Sequence, residues 1–255
     1  MEKKPSKTQK NINTSEKEDS LLPSFESSLK WDNNPDGTIE SEIFSLANTS
    51  KKASLTKYVK VSIFDIESRG TIKRDKKKVS ELISSSFTNI TKEEDRGMGS
   101  MMGMVIGDAM GHRFEFQDLI YDTIVLKNMG EGKGGHFELE PGQWTDDSSM
   151  GLCLADSLLV KKGEFDPRDL MHRFLLWWIC SYNNAFRLNK EIRSSCGLSG
   201  NISLSFRTYV KEKGKNVYTT AGNKNTSGNG SVMRNASVPI CYFKDIDKTR
   251  DISKK

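Results

Sequence analysis

The run Gln143-Trp144-Thr145-Asp146-Asp147-Ser148-Ser149-Met150 brings a hydroxyl and two consecutive carboxylates just ahead of the apolar series Met150, Leu152, Cys153, Leu154, Leu158 and Leu159. The series has helical spacing, so the polar groups stand at a helix start, and the helix should stop near Gly163. Two anions in one first turn repel each other, and the helix dipole returns only about 0.3–1 kcal/mol for each. A hard divalent cation, Mg²⁺ or Ca²⁺, would reconcile them, with Thr145, Asp146 and Asp147 as three oxygen ligands. Successive helical residues diverge by about 100°, so the two carboxylates can face different ions or different sides of one. The same residue types also serve as a plain N-cap, with Thr145 or Asp146 capping and no ion involved. The stretch alone does not separate these readings.

Two other segments carry candidate chemistry. Glu115 stands between Phe114 and Phe116, and enclosure by the two rings would raise its pKa into the range of a general acid or base. A solvated glutamate between two core rings fits the same pattern. His112 reads as a helix-end residue rather than a ligand. Further on, Gly228-Asn229-Gly230-Ser231 enters an apolar segment, where free backbone N–H groups at a helix start would accept a phosphate or ribose oxygen. An ordinary turn followed by a Ser N-cap is the plainer alternative.

The elements that must position these residues follow from composition and spacing. Residues 1–57 are dominated by Lys, Ser, Thr, Asn and Glu and cannot bury enough apolar area to offset their ordering entropy; they read as a disordered polar tail. Residues 58–95 hold a strand-like alternation at Val59, Val61 and Ile63 and a helical series at Val79, Leu82, Ile83 and Phe87, forming a small appendage or linker. Gly99, Gly103, Gly107 and Gly111 then recur every four residues among Met, Val and Ile. On a helix they line one face, and because each costs a helix interior about 1 kcal/mol, close approach of another backbone is expected there. A Gly-rich connection over residues 121–142 delivers the chain to Thr145. Asp166-Pro167 starts the next helix, with a core stripe of Leu170, Met171, Phe174, Leu175, Trp177 and Trp178. Another helix runs through Ile202, Leu204, Phe206 and Tyr209, and residues 244–255 read as charged, solvated coil.

Length allows one domain plus an extension. The net charge of +5 is spread along the chain without a basic stripe, which argues against nucleic-acid binding. Cys153, Cys180, Cys196 and Cys241 show no metal-binding spacing and read as reduced thiols of an intracellular protein. The most apolar segment, Met98 to Met110, is too short to span a bilayer and contains Asp108, so a soluble, cytoplasmic protein without membrane partners is expected. The oligomeric state is not readable.

Three segments in fixed order resemble the ADP-ribosylglycohydrolase family: Gly107-Asp-Ala-Met-Gly-His-Arg-Phe-Glu-Phe116, Gln143-Trp-Thr-Asp-Asp-Ser148 and Gly228-Asn-Gly-Ser-Val-Met-Arg234. The resemblance covers residues 96–243 and corresponds to the N-terminal portion of the family domain. It implies an all-α orthogonal helical bundle, here truncated at the C-terminus, with a central pair of Mg²⁺ or Mn²⁺ ions. It assigns metal ligation to Thr145, Asp146 and Asp147, acid/base work to Glu115 with Asp146 and Asp147 in the catalytic set, and ADP-ribose contacts to Gly228, Asn229, Gly230 and Ser231. The implied reaction is hydrolysis of the bond between ADP-ribose and a protein side chain or small conjugate; the alternative is a catalytically dead ADP-ribose-binding or structural protein on the same scaffold. Two departures stand out. The family's second metal motif has no counterpart beyond Asp245-Ile-Asp247-Lys-Thr249, which carries one residue too many and reads as coincidence. An acidic residue that relatives carry two positions before a Gly-Asn pair is Leu198 here, if Gly200-Asn201 is the matching pair.

Overall fold

The computed structural model describes residues 88–118, 134–185, 195–219 and 228–255, with isolated positions elsewhere that include Ile43 and Phe44. Within these residues the fold is all-α, with one isolated antiparallel bridge between Gly134 and Leu139. The strand-like alternation at 59–63 and the helical series at 79–87 lie outside the described residues, apart from single positions.

The helix α1 (Lys92–Gly111) starts on a capping box: the Thr91 hydroxyl accepts from the Glu94 N–H at 3.2 Å, and the Glu94 carboxylate accepts from the Thr91 N–H at 2.7 Å. A short 3₁₀ turn, His112–Phe114, follows it directly. The second helix, α2 (Asp146–Val160), buries Met150, Cys153, Leu154, Ser157 and Leu158 along one stripe and ends as its spacing predicts, with Gly163 at φ 80° closing back onto Leu158. Asp166 then caps α3 (Pro167–Cys180), accepting from the Arg168 and Asp169 N–H groups at 3.0 and 3.1 Å. Ser199 caps α4 (Gly200–Lys211), and two short helices, α5 (Ser237–Cys241) and α6 (Ile246–Ser253), complete the order.

α2 is the hub, packing on α3, on α5 and on α1. The main core lies between α2, α3 and α4, where Leu175, Leu176, Trp177 and Tyr209 are fully buried. Each buried leucine contributes about 1.5–3 kcal/mol. A second cluster joins Leu154 and Leu158 of α2 to Val238, Tyr242 and Ile252.

Three expectations are corrected here. Residues 244–255 are not coil: Asp245 caps α6 by accepting from the Lys248 N–H at 2.9 Å, and Ile252 is buried in the second cluster. The charge pattern concealed one apolar anchor in an otherwise solvated helix. The polar tail is not disordered throughout, since Ile43 and Phe44 are helical and buried in the main core. The glycine stripe does lie on a helix, but a Cβ at Gly99, Gly103, Gly107 or Gly111 would meet nothing within 4 Å among the described residues. The close approach runs through the other helix instead: a Cβ on Gly151 of α2 would collide with the Met104 thioether of α1.

Candidate functional site at the head of α2

The first turn of α2 is capped from a different helix. Thr145 is the N-cap residue, yet its side chain makes no capping bond. The Asp108 carboxylate of α1 takes that part, accepting from the Ser148 N–H at 2.9 Å and from the Thr145 N–H at 3.0 Å. The Thr145 hydroxyl donates to the same carboxylate at 2.7 Å. Neither the Thr145 nor the Asp146 side chain takes the capping bond, which corrects that sequence alternative. Behind them, the Trp144 indole N–H donates to the Asn183 carbonyl at 3.2 Å and ties the approach to α2 to the end of α3.

Four carboxylates share this corner. Burial raises Asp146 to about 8, with Asp147, Glu115 and Asp108 pushing the same way. Burial and then the Asp108 charge raise Asp147 to about 6. Glu115 is also raised, first by burial and then by Asp147 and Asp108. Its shift is in the direction the flanking rings suggested, but not by their enclosure, because Phe116 is 81% exposed and leans on His136 and Phe137. The two aspartates face different ways. Asp147 lines a cavity of about 450 Å³, while Asp146 is buried against Gly197, where φ is +86° and a Cβ would collide with its carboxylate. Arg234, half-buried over the Phe174 ring at 4.7 Å, is lowered to about 10 by burial and partly restored by the Asp146 charge.

The cavity is walled by Gly103, Gly107, Asp108 and Asp147 on one side and by Val232, Met233 and Asn235 on the other. Thr145, Asp146, Asp147 and Glu115 are thus brought together. The Gly228–Ser231 run is not itself in the wall; it is an exposed turn whose Asn229 carbonyl accepts from the Val232 and Met233 N–H groups, leading directly into the wall residues. No helix starts at Ser231, because turns continue to α5 at Ser237. His112 caps the end of α1 and is buried, as expected of a helix-end residue.

The sequence reading missed Asp108 as a site residue, although it falls inside a quoted segment, and it missed Gly197. A carboxylate on the same helix as the glycine stripe, one turn from its end, was the available signal for the first. Nothing in the local pattern around Gly197 announces the second. Leu198 is half-buried against the main core.

As cation ligands, the donors have the right chemistry: they are all oxygens, and a positive charge would relieve the repulsion that raises Asp146 and Asp147. They supply one side of a shell. Among the described residues no three acidic, imidazole or thiol side chains close on a point by themselves. Asp245, Asp247 and Thr249 do not complete it: Asp245 is a cap, the Thr249 hydroxyl donates to the Tyr242 and Asp245 carbonyls at 2.9 Å, and Asp247 is 96% exposed.

Fold and site together define an all-helical protein with an acidic centre where two helices meet. The family model "ADP-ribosylglycohydrolase" matches residues 89–255, and the chain belongs to that family. It is 32% identical over 157 residues to "ADP-ribosylarginine hydrolase Tri1" of Serratia proteamaculans, across 61% of this chain and 39% of that protein. It is 28% identical over 169 residues to human "ADP-ribosylhydrolase ARH3", across 62% and 43%. The "ADP-ribosyl-[dinitrogen reductase] glycohydrolase" of Rhodospirillum rubrum matches at 37% over 86 residues, covering 32% of this chain and 28% of that protein. A solved "ADP-ribosylglycohydrolase-related protein complex" superposes with a TM-score of 0.47 at 30% identity, over 65% of this chain and 48% of that one. The chain therefore spans well under half the length of these curated relatives. No helix among the described residues is long and apolar enough to cross a membrane.

Proposed function

We propose that this chain carries the acidic part of a metal-dependent centre that removes ADP-ribose from modified protein side chains or small ADP-ribosyl conjugates. The observation that carries it is the crowding of Glu115, Asp146 and Asp147 at one corner, of which Asp147, with Asp108, lines the 450 Å³ cavity. Thr145, Asp146 and Asp147 would hold Mg²⁺ or Mn²⁺, which supplies positive charge to orient sugar hydroxyls and water. Glu115, whose carboxyl burial and then the Asp147 and Asp108 charges push up, would give or take a proton at the scissile glycosidic oxygen or nitrogen. Backbone N–H groups of Gly228–Ser231, which lead in sequence into the cavity-wall residue Val232, would receive the diphosphate. A cytoplasmic location suits such a substrate.

A second reading, ADP-ribose binding without turnover, is favoured by one observation: the described donors close only one side of an ion. Calorimetry with Mn²⁺ and ADP-ribose, combined with a hydrolysis assay on ADP-ribosyl-arginine, tests both. The expected result is Mn²⁺ binding that Asp147→Asn weakens at least about tenfold, and ADP-ribose affinity that rises with Mn²⁺. Turnover lost in Glu115→Gln supports the hydrolase; binding without turnover supports the second reading. If neither Mn²⁺ nor ADP-ribose binds, both fail.

A further inference from the structure

We propose that Asp108 is a positioning residue with two linked tasks: it caps α2 from the neighbouring helix, and it fixes the Thr145 hydroxyl so that its lone pairs, not its proton, face the cation. The inference rests on the reading of Thr145, Asp146 and Asp147 as cation ligands.

A hydroxyl has one proton. Asp108 Oδ1 lies 2.7 Å from Thr145 Oγ1, whereas Asp147 Oδ2 lies at 3.4 Å, so the proton goes to Asp108. With its donor spent, Oγ1 has only acceptor capacity left for anything on its other side. A cation requires that polarity, and a threonine whose proton pointed the other way would repel it. The cap is the second half of the same arrangement. The Ser148 N–H is the orphan donor that an N-cap side chain ordinarily takes, and Asp108 Oδ2 takes it at 2.9 Å. Were α2 to cap itself, Thr145 Oγ1 or the Asp146 carboxylate would be turned back onto the backbone and lost to an ion. Capping in trans leaves the Thr145 hydroxyl and the two neighbouring carboxylates free of that N–H, with Asp147 facing the cavity. Ala109, the one buried residue of α1, lies next to Asp108 and fixes that turn of α1 on the body of the fold.

An isosteric change separates the two tasks. In Asp108→Asn, the amide oxygen at the Oδ2 position still accepts from the Ser148 and Thr145 N–H groups, and only the second Thr145 N–H contact, to Oδ1 at 3.1 Å, is given up. The amide nitrogen then donates to Thr145 Oγ1 and turns the hydroxyl proton toward the cation. The cap survives and the hydroxyl is reversed. The experiment uses the whole chain, Mn²⁺ calorimetry, melting in chelator and amide exchange at Ser148. Asp108→Asn should weaken Mn²⁺ at least about tenfold while melting within a few degrees of the native chain and keeping Ser148 protected. Asp108→Ala should also lose Ser148 protection and melt lower. In a Thr145→Ala background, Asp108→Asn should cost little further Mn²⁺ affinity, because the hydroxyl it acts through is gone. An equal loss in both backgrounds would mean that Asp108 acts as a charge or a ligand, and would overturn the proposal. Unchanged Ser148 exchange in Asp108→Ala would overturn the cap. If the native chain binds no Mn²⁺, the cation reading itself fails and takes the hydroxyl half with it, while amide exchange still decides the cap.

Discussion

Asp146 and Asp147 show how much electrostatic tension one helix start can hold. With Asp146 at about 8 and Asp147 at about 6, the folded chain keeps protons that the unfolded chain, with aspartates near the ordinary 3.9, has already released. Between about pH 4 and 8 the folded state binds more protons, so metal-free stability falls as pH rises through that window. Melting in chelator should therefore give a lower Tm at pH 8 than at pH 5.5, and Asp146→Asn should flatten the upper half of the slope. A metal-free Tm that is flat or rises over this range would contradict the placement of these carboxylates. Mn²⁺ affinity runs the other way, increasing with pH as the ligands lose their protons. The sequence announced this tension, because a hydroxyl and two carboxylates ahead of an apolar series have few explanations. It did not announce Asp108 or Gly197, since each acts on the triplet across a gap in the chain that no local periodicity bridges.

Helix boundaries were readable wherever one residue type dictates the ending: Gly163 after α2, Asp166-Pro167 before α3 and the glycine-bearing span of α1 all fall where their chemistry places them. Packing was less readable. The glycines of α1 suggested a covered face, whereas Gly103 and Gly107 line the cavity and Gly151 of α2 makes the close approach. A stripe of small residues records that space is needed, not what fills it. The joint between α2 and α3 was hidden as well, because it is polar. Arg173 is fully buried, its Nε donating to Asp169 at 2.7 Å and its Nη1 to the Tyr182 hydroxyl at 3.1 Å, while Tyr182 donates to Asp156 of α2 at 2.6 Å. Removing one side of a buried pair strands the other charge, so Asp169→Ala should cost about 3–5 kcal/mol by denaturant unfolding. Replacing both, as Asp169→Leu with Arg173→Met, should recover a large part of that loss. A single-variant cost below about 1 kcal/mol would show that water reaches Arg173.

For the whole molecule, the main core does not stop where the family match begins. That match starts at residue 89, yet Ile43 is fully buried and Phe44 is 8% exposed in the core of α2, α3 and α4. Phe44 meets the Tyr209 ring edge-on with centroids 5.6 Å apart and lies 6.2 Å from His172, over the contact between the Tyr209 hydroxyl and His172 Nε2 at 3.0 Å. The polar composition of residues 1–57 as a whole concealed this, although Ile39, Ile43 and Ala47 fall at helical spacing beside Phe44; it is the groove between α3 and α4 that gives Phe44 a place. Phe44→Ala would leave a ring-sized void over two buried polar groups, so it should destabilise the full chain by about 3–5 kcal/mol. Phe116→Ala is the matched control, since the same side chain is lost from a site 81% exposed to solvent, and it should cost well under about 1 kcal/mol. Denaturant unfolding of the two variants beside the native chain checks the pair. Equal midpoints would mean that Phe44 adds nothing to the core and that the family-matched residues hold it together unaided.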